Sequence, residues 1–120
     1  MFWLLLLVAA TECVAQEVAQ LGVMVKGVNI NALNEVRYVE LIGVDVGEES
    51  NKIVIEVDYG QRNIDESQII SGTDGKPYHF ESMIHALNYM DKNGWEFVNA
   101  YDVHSRGQGV VYHFLLKRKS

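Results

Sequence analysis

Ser82-Met83-Ile84-His85-Ala86-Leu87-Asn88-Tyr89-Met90-Asp91-Lys92-Asn93-Gly94-Trp95-Glu96-Phe97-Val98-Asn99-Ala100-Tyr101-Asp102-Val103 contains a change of hydrophobic period that decides the fold class. At about 100° per residue, Met83, Ile84, Ala86, Leu87 and Met90 share an arc of roughly 160°, and His85, Asn88, Tyr89 and Lys92 point the other way. The stripe predicts an amphipathic helix over residues 83–93, resting on an apolar layer. Ser82 is the expected N-cap, its hydroxyl accepting from an orphan N–H of the first turn, and His85 at the third helical position excludes a capping box. Asn93-Gly94 ends the helix, because glycine takes the left-handed conformation by which a chain leaves one. From Trp95 the period becomes 2. This predicts Trp95, Phe97, Tyr101 and Val103 on one face of a strand and Glu96, Val98, Ala100 and Asp102 on the other.

The sequence has 120 residues, enough for one core, and its 48% apolar content with a single proline argues against disorder. Phe2 to Ala10 is an unbroken apolar run, short of the ~20 residues that span a bilayer but suited to the centre of a secretory signal peptide. Cleavage after Ala15 puts the small residues Cys13 and Ala15 at the −3 and −1 positions, giving a signal peptide over 1–15 and a single domain over 16–120. No Lys or Arg precedes Phe2, so a start upstream of Met1 and a buried N-terminal strand remain alternatives. Glu12 argues against lipidation of Cys13. The expected location is periplasmic or extracellular, with no stable membrane span after cleavage. The domain left behind has no cysteine, hence no disulfide, thiolate metal site or cysteine nucleophile. A net charge of −6 is a poor match for phosphate backbones, so no nucleic-acid partner is expected. Lys117-Arg118-Lys119 is the exception, understood as the solubilising end of an exposed strand that discourages edge pairing.

The remaining strands follow from alternation. A weak first strand is expected within 23–28, with a polar turn over 29–34. Residues 36–46 and 52–59 form a hairpin, since Ile53, Ile55, Val57 and Tyr59 alternate with Val54, Glu56 and Asp58 around a turn at 47–51. Residues 60–67 connect to a minor hairpin, 68–71 against 76–80, turning at Asp74-Gly75 in type I′ geometry, with Pro77 confined to an edge. The last strand, 110–117, is apolar on both faces and therefore central; Arg106-Gly107-Gln108-Gly109 joins it to the Trp95 strand. The sum is an α+β two-layer sandwich, a mainly antiparallel sheet with one principal helix on one face.

No constellation converges on chemistry. His79, His85, His104 and His113 lack the spacing of a zinc site, so no metal and no cofactor are expected. His113 is expected as a hydrogen-bonded core residue. Asp102, His104 and Ser105 are the residue types of a nucleophilic triad but lie too close along one strand to converge, with Ser105 on the face opposite the other two. Glu48-Glu49 and Asp65-Glu66 fall in loops. The tyrosines carry more information, because Tyr and Trp favour recognition surfaces. Tyr59, Trp95, Tyr101 and Tyr112 are expected to cover the helix side of the sheet. Tyr78, His79, His85 and Tyr89, around the helix start and its polar face, are the candidate binding residues; no catalytic residue is assigned.

Ala86-Leu87-Asn88-Tyr89-Met90-Asp91-Lys92-Asn93-Gly94-Trp95-Glu96-Phe97-Val98, with Val111-Tyr112-His113-Phe114-Leu115-Leu116-Lys117-Arg118 and the segments Tyr38-Val39-Glu40-Leu41-Ile42 and Val57-Asp58-Tyr59-Gly60, resembles a group of small, exported, uncharacterised bacterial proteins. More distantly, Gly94-Trp95-Glu96 and the ending resemble a short domain of unknown function built as strands, a helix ending in Gly-Trp-Glu, and two closing strands. The resemblance implies export and this fold, and it brings no activity or site residue. The functional expectation is an exported, non-catalytic interaction module. Its uncovered sheet face, with Val54, Val98, Ala100 and Val111 or Leu115, would meet a second copy or a protein partner. The alternative is a small hydrolase or ligand-modifying enzyme using Asp102 with His104, or His79 with His85.

Overall fold

The structure is a computed structural model that describes residues 22–44, 53–62, 68–105 and 109–120. The signal peptide assigned to 1–15, the turn at 47–51, Asp65-Glu66 and the loop residues 106–108 lie outside the described residues. Lys26 and Gly27 both take positive φ, 50° and 80°, which is the backbone of a two-residue type I′ turn. The chain therefore doubles back within 23–28, and a tight pair, β1 (Met24–Val25) and β2 (Val28–Asn29), replaces the single strand expected there. A 3-10 turn at Ile30–Ala32 leads to β3 (Tyr38–Val44) and β4 (Ile53–Asp58), which pair antiparallel as expected. After β5 (Ile70–Ser71) and β6 (His79–Phe80) come α1 (Met83–Lys92) and a closing hairpin of β7 (Trp95–Ser105) and β8 (Gly109–Arg118).

Two antiparallel sheets result, ordered β2-β1-β5 and β6-β4-β3-β8-β7. α1 lies on one face of the larger sheet, giving the expected α+β class with the small sheet added to it. Between β5 and β6 only Gly75 is left-handed (φ 81°); its N–H donates to Gly72 O, and the N–H of Gly72 donates to Lys76 O. This is a turn closed by a G1 bulge instead of the type I′ turn expected. Asp74 contributes its side chain, which accepts from the Lys76 N–H at 3.0 Å.

One core joins both sheets and the helix. Val39, Leu41, Ile55, Val57 and Leu116 of the large sheet, Met83, Ala86 and Met90 of α1, and Val23, Val25, Ile30 and Ile70 around the small sheet are all buried. Gly43 makes room for the helix, because a Cβ at that position would run into the Met83 sulfur. The Ser82 hydroxyl caps α1 as expected, accepting from the His85 N–H at 3.1 Å. His85 departs from expectation. Its Nδ1 accepts from the Glu81 N–H at 3.1 Å, so an imidazole does what a capping-box glutamate would, one residue further out. Ile84 was expected on the buried stripe but is 62% exposed. The helix is rolled toward Tyr89, because Tyr78 and Phe80 stand beside it and give Tyr89 and His85 rings to pack against.

The basic ending guards no edge, since β8 lies between β3 and β7. Lys117 pairs with Glu96 at 3.5 Å and Lys119 with Asp91 at 2.8 Å, both at the surface. Arg118 turns inward. It donates from Nε to Val36 O, from Nη1 to Asn31 O, and from Nη2 to Leu33 O and Ile30 O, with its guanidinium 4.7 Å from the Trp95 ring centroid. Trp95 Nε1–H in turn donates to Asn31 Oδ1 at 3.0 Å, and the Asn31 amide donates to Asn93 O at 2.6 Å. Asn93 Oδ1 accepts from the Gly22 N–H. The helix exit, the 3-10 turn and the last strand are thus clasped together around one indole.

Candidate functional site

Which residues face the open side of the large sheet is set by an irregularity in β7. Phe97 lies opposite Leu116 and Asn99 opposite Leu115, so Val98 is an extra residue. Beyond this bulge the alternation inverts. Ala100 pairs with Phe114 and Asp102 with Tyr112 on the helix side, while Tyr101 pairs with His113 and Val103 with Val111 on the open side. The expected grouping of Trp95 and Phe97 with Tyr101 and Val103 is therefore wrong for the last two, and Ala100 does not belong to the open face. Trp95 is buried and Tyr59 and Tyr112 pack against the core as expected, but Tyr101 does not.

On the open face Glu40 of β3, His113 of β8 and Tyr101 of β7 come together. Glu40 Oε1 is 2.8 Å from His113 Nδ1, and the Tyr101 hydroxyl donates to Glu40 Oε2 at 3.0 Å. A carboxylate only accepts, so the proton between Glu40 and the imidazole belongs to Nδ1. Glu40 reaches His113 diagonally, one step from its direct partner Leu115, and Tyr101 stands directly across from His113. Their rings stack with centroids 4.6 Å apart and planes 5° from parallel. Each carboxylate oxygen thus holds one donor, and three strands fix a flat polar centre beside Ile42 and Leu115. His113 is hydrogen-bonded as expected, but on the open face and not in the core.

The residues singled out in the sequence divide. Tyr78, His85 and Tyr89 gather with Phe80 into one ring cluster, the Tyr78–Tyr89 centroids 5.0 Å and the Tyr78–His85 centroids 6.2 Å apart. His79 pairs with Val54 in the register, so it faces away from Phe80 and away from that cluster, and it lines a shallow groove with Asp74 and Lys76. His79 and His85 therefore do not form a pair. Asp102 is at a helix-side position of β7, and the side chains of His104 and Ser105 lie outside the described residues. Among the described residues no group of three His, Cys, Asp or Glu side chains is placed to hold a metal, and no helix is long and apolar enough to cross a membrane. No hydroxyl other than that of Tyr101 is bonded to the Glu40–His113 pair among the described residues.

No family model, curated protein or solved structure matches this chain. Its own geometry therefore carries the functional argument. Sequence reading missed the Glu40–His113–Tyr101 centre because it counted period 2 straight through Val98. The mismatch of eleven residues in β7 against ten in β8 that accompanies the bulge belongs to the structure, and no residue pattern in the sequence marks it.

Both clusters leave an electrostatic mark. Desolvation against the sheet, then the hydrogen bond to Glu40 and its negative charge, raise the Tyr101 phenol above its ordinary pKa of 10.0. Burial, then the neighbouring Tyr78, does the same for Tyr89. A raised folded pKa means the folded state holds its proton more tightly than the unfolded chain. The associated stability is complete below the unfolded value and is lost as pH rises through the folded one. The part of the stability that these two phenols contribute should therefore hold up to about pH 10 and fall above it, read as a decline of the denaturant midpoint in that range. A tyrosinate absorbance titration should show late-ionising phenols, one of them absent in Tyr101→Phe. If the phenol lost in Tyr101→Phe is one that ionises at the ordinary value and the late-ionising ones all remain, the Glu40 contact is contradicted.

Proposed function

We propose that this chain is an exported, non-catalytic recognition module that binds a protein partner through the open sheet face centred on Glu40, His113 and Tyr101. The observation carrying this reading is the placement of that centre. A carboxylate with both oxygens occupied by fixed donors lies on a sheet face opposite the helix, next to the half-buried Ile42 and Leu115 and the exposed Val103. A flat, rigid patch with an aromatic anchor and a satisfied polar centre suits association with a surface more than enclosure of a small substrate. The Tyr78, His85 and Tyr89 cluster is a secondary contact region, with His79 outside it.

Export is tested by mass spectrometry of the product released by cells expressing the full sequence, which should begin at Gln16; full-length chain retained in the cells would refute it. For binding, wild type and a His113→Ala/Tyr101→Ala variant are immobilised and exposed to the matching periplasmic or culture extract. A partner held by wild type and lost from the variant is expected, with Ile84→Ala on the helix side retaining it. Equal retention by all three overturns the assignment of the face. Turnover of an aryl ester that disappears in His113→Ala would instead support a hydrolase built on the Glu40–His113 hydrogen bond, a different pair from the Asp102–His104 and His79–His85 pairs expected from the sequence.

A further inference from the structure

Asn93 is the only asparagine in the sequence that is followed by glycine. Such a pair can react with itself. The Gly94 amide nitrogen attacks Cγ of Asn93, forming a C–N bond as the Cγ–Nδ2 bond breaks and ammonia leaves. Water then opens the cyclic imide at either carbonyl, leaving aspartate or isoaspartate. Glycine favours the attack, because no side chain crowds its nitrogen and its backbone turns freely. The fold holds every participating group away from it. The Gly94 N–H, which must lose its proton to attack, donates to Asp91 O at 3.2 Å. The Asn93 carbonyl on the same peptide plane accepts from the Asn31 amide at 2.6 Å, and the Gly94 carbonyl accepts from the Lys119 N–H at 2.9 Å. The Asn93 side chain is fixed at both ends, with Nδ2 donating to Tyr89 O at 2.8 Å and Oδ1 accepting from the Gly22 N–H at 3.1 Å. Bringing the nitrogen onto Cγ turns both the peptide plane and the carboxamide, so the contacts on both must break together.

We propose that Asn93 is a self-modification site guarded by the fold: it deamidates when the clasp around the indole opens, and the product prevents the clasp from closing as before. Asn31 links the two, since it holds the Asn93 carbonyl, accepts from the Trp95 indole and lends its own carbonyl to Arg118. Gly22, Asn31 and Lys119 reach the site from remote parts of the chain, so protection depends on tertiary structure and not on the helix alone. Aspartate at 93 keeps an acceptor for the Gly22 N–H but loses the donor to Tyr89 O. It also sets a negative charge among the unpaired carbonyls at the C-terminus of α1, where the helix dipole disfavours it. Isoaspartate moves the side-chain methylene into the main chain, which lengthens the exit from α1 to Trp95 by one atom. Opening thus becomes irreversible in a fraction of molecules, and the modified fraction records how much time a population has spent open.

The full chain is incubated at mildly alkaline pH with and without guanidinium chloride, and its peptides are followed by mass spectrometry. Asn93 should convert first among the asparagines in denaturant and stay intact in the folded protein over the same period. Arg118→Met weakens the clasp without touching residue 93 and should convert Asn93, in the absence of denaturant, about tenfold faster or more than wild type. Lys117→Met should match wild type. Should Arg118→Met fail to fold, Trp95→Phe takes its place and should again convert faster than wild type. A chain made with Asn93→Asp should show a lower denaturant midpoint. Equal conversion of folded and denatured wild type, another asparagine converting first in denaturant, a clasp variant no faster than Lys117→Met, or an unchanged midpoint in Asn93→Asp overturns the proposal.

Discussion

Trp95→Ala should lower the unfolding free energy by about 3–5 kcal/mol in a chemical denaturation experiment, the range for emptying an aromatic site in a closed core. The indole is fully buried at the point where α1 hands over to β7, and three kinds of contact meet on it. Its ring belongs to the same buried core as Met90 and Leu116, its Nε1–H donates to Asn31, and its face carries the Arg118 guanidinium. Trp95→Phe separates these contributions. It keeps most of the apolar volume but leaves Asn31 Oδ1 with only the Val23 N–H, at a cost of about 1–2 kcal/mol. A loss below about 1 kcal/mol for Trp95→Ala would show that the helix exit does not lock onto the sheet through this residue.

The second large effect belongs to a residue whose neighbours look the same in the sequence. Arg118→Met should cost about 3 kcal/mol, because four backbone carbonyls of the 3-10 turn and the segment after it lose a charged donor at once. Methionine preserves much of the stem packing, so the loss reports the guanidinium. Lys117→Met removes an exposed ion pair, and Lys119→Met an exposed ion pair and an exposed bond to the Asp91 carbonyl, so each should change stability by about 0.5 kcal/mol or less. Equal effects at all three positions would contradict the inward placement of Arg118.

These expectations mark what composition and periodicity reveal. The helix, its Ser82 cap, its Gly94 exit, the β3–β4 hairpin and the central position of β8 are all written in local spacing, because each depends on residues a few positions apart. Asn31, Arg118 and Trp95 were not legible as a unit, since their partners are remote in the chain and asparagine in a polar turn carries no distinguishing pattern. The Glu40–His113–Tyr101 centre failed for a related reason. Its assembly depends on one added residue at Val98, which reverses every side chain after it, and alternation counted without the bulge assigns Tyr101 to the wrong layer. The ring cluster was half visible: Tyr78, His85 and Tyr89 meet, whereas adjacency in sequence put His79 beside Tyr78 and strand pleating turned it away.

The clasp around the indole also bears on kinetics. Its hydrogen bonds join residues 62 to 88 positions apart, spanning from Gly22 and Asn31 to Asn93 and Arg118. Closing loops of that length costs entropy before any contact repays it, so these bonds form after the local hairpins and the helix. Interactions absent from the folding transition state act on the reverse reaction. Arg118 and Asn31 therefore govern how long the folded molecule survives between openings more than how fast it forms, and the stability lost in Arg118→Met should be read chiefly in a faster unfolding limb.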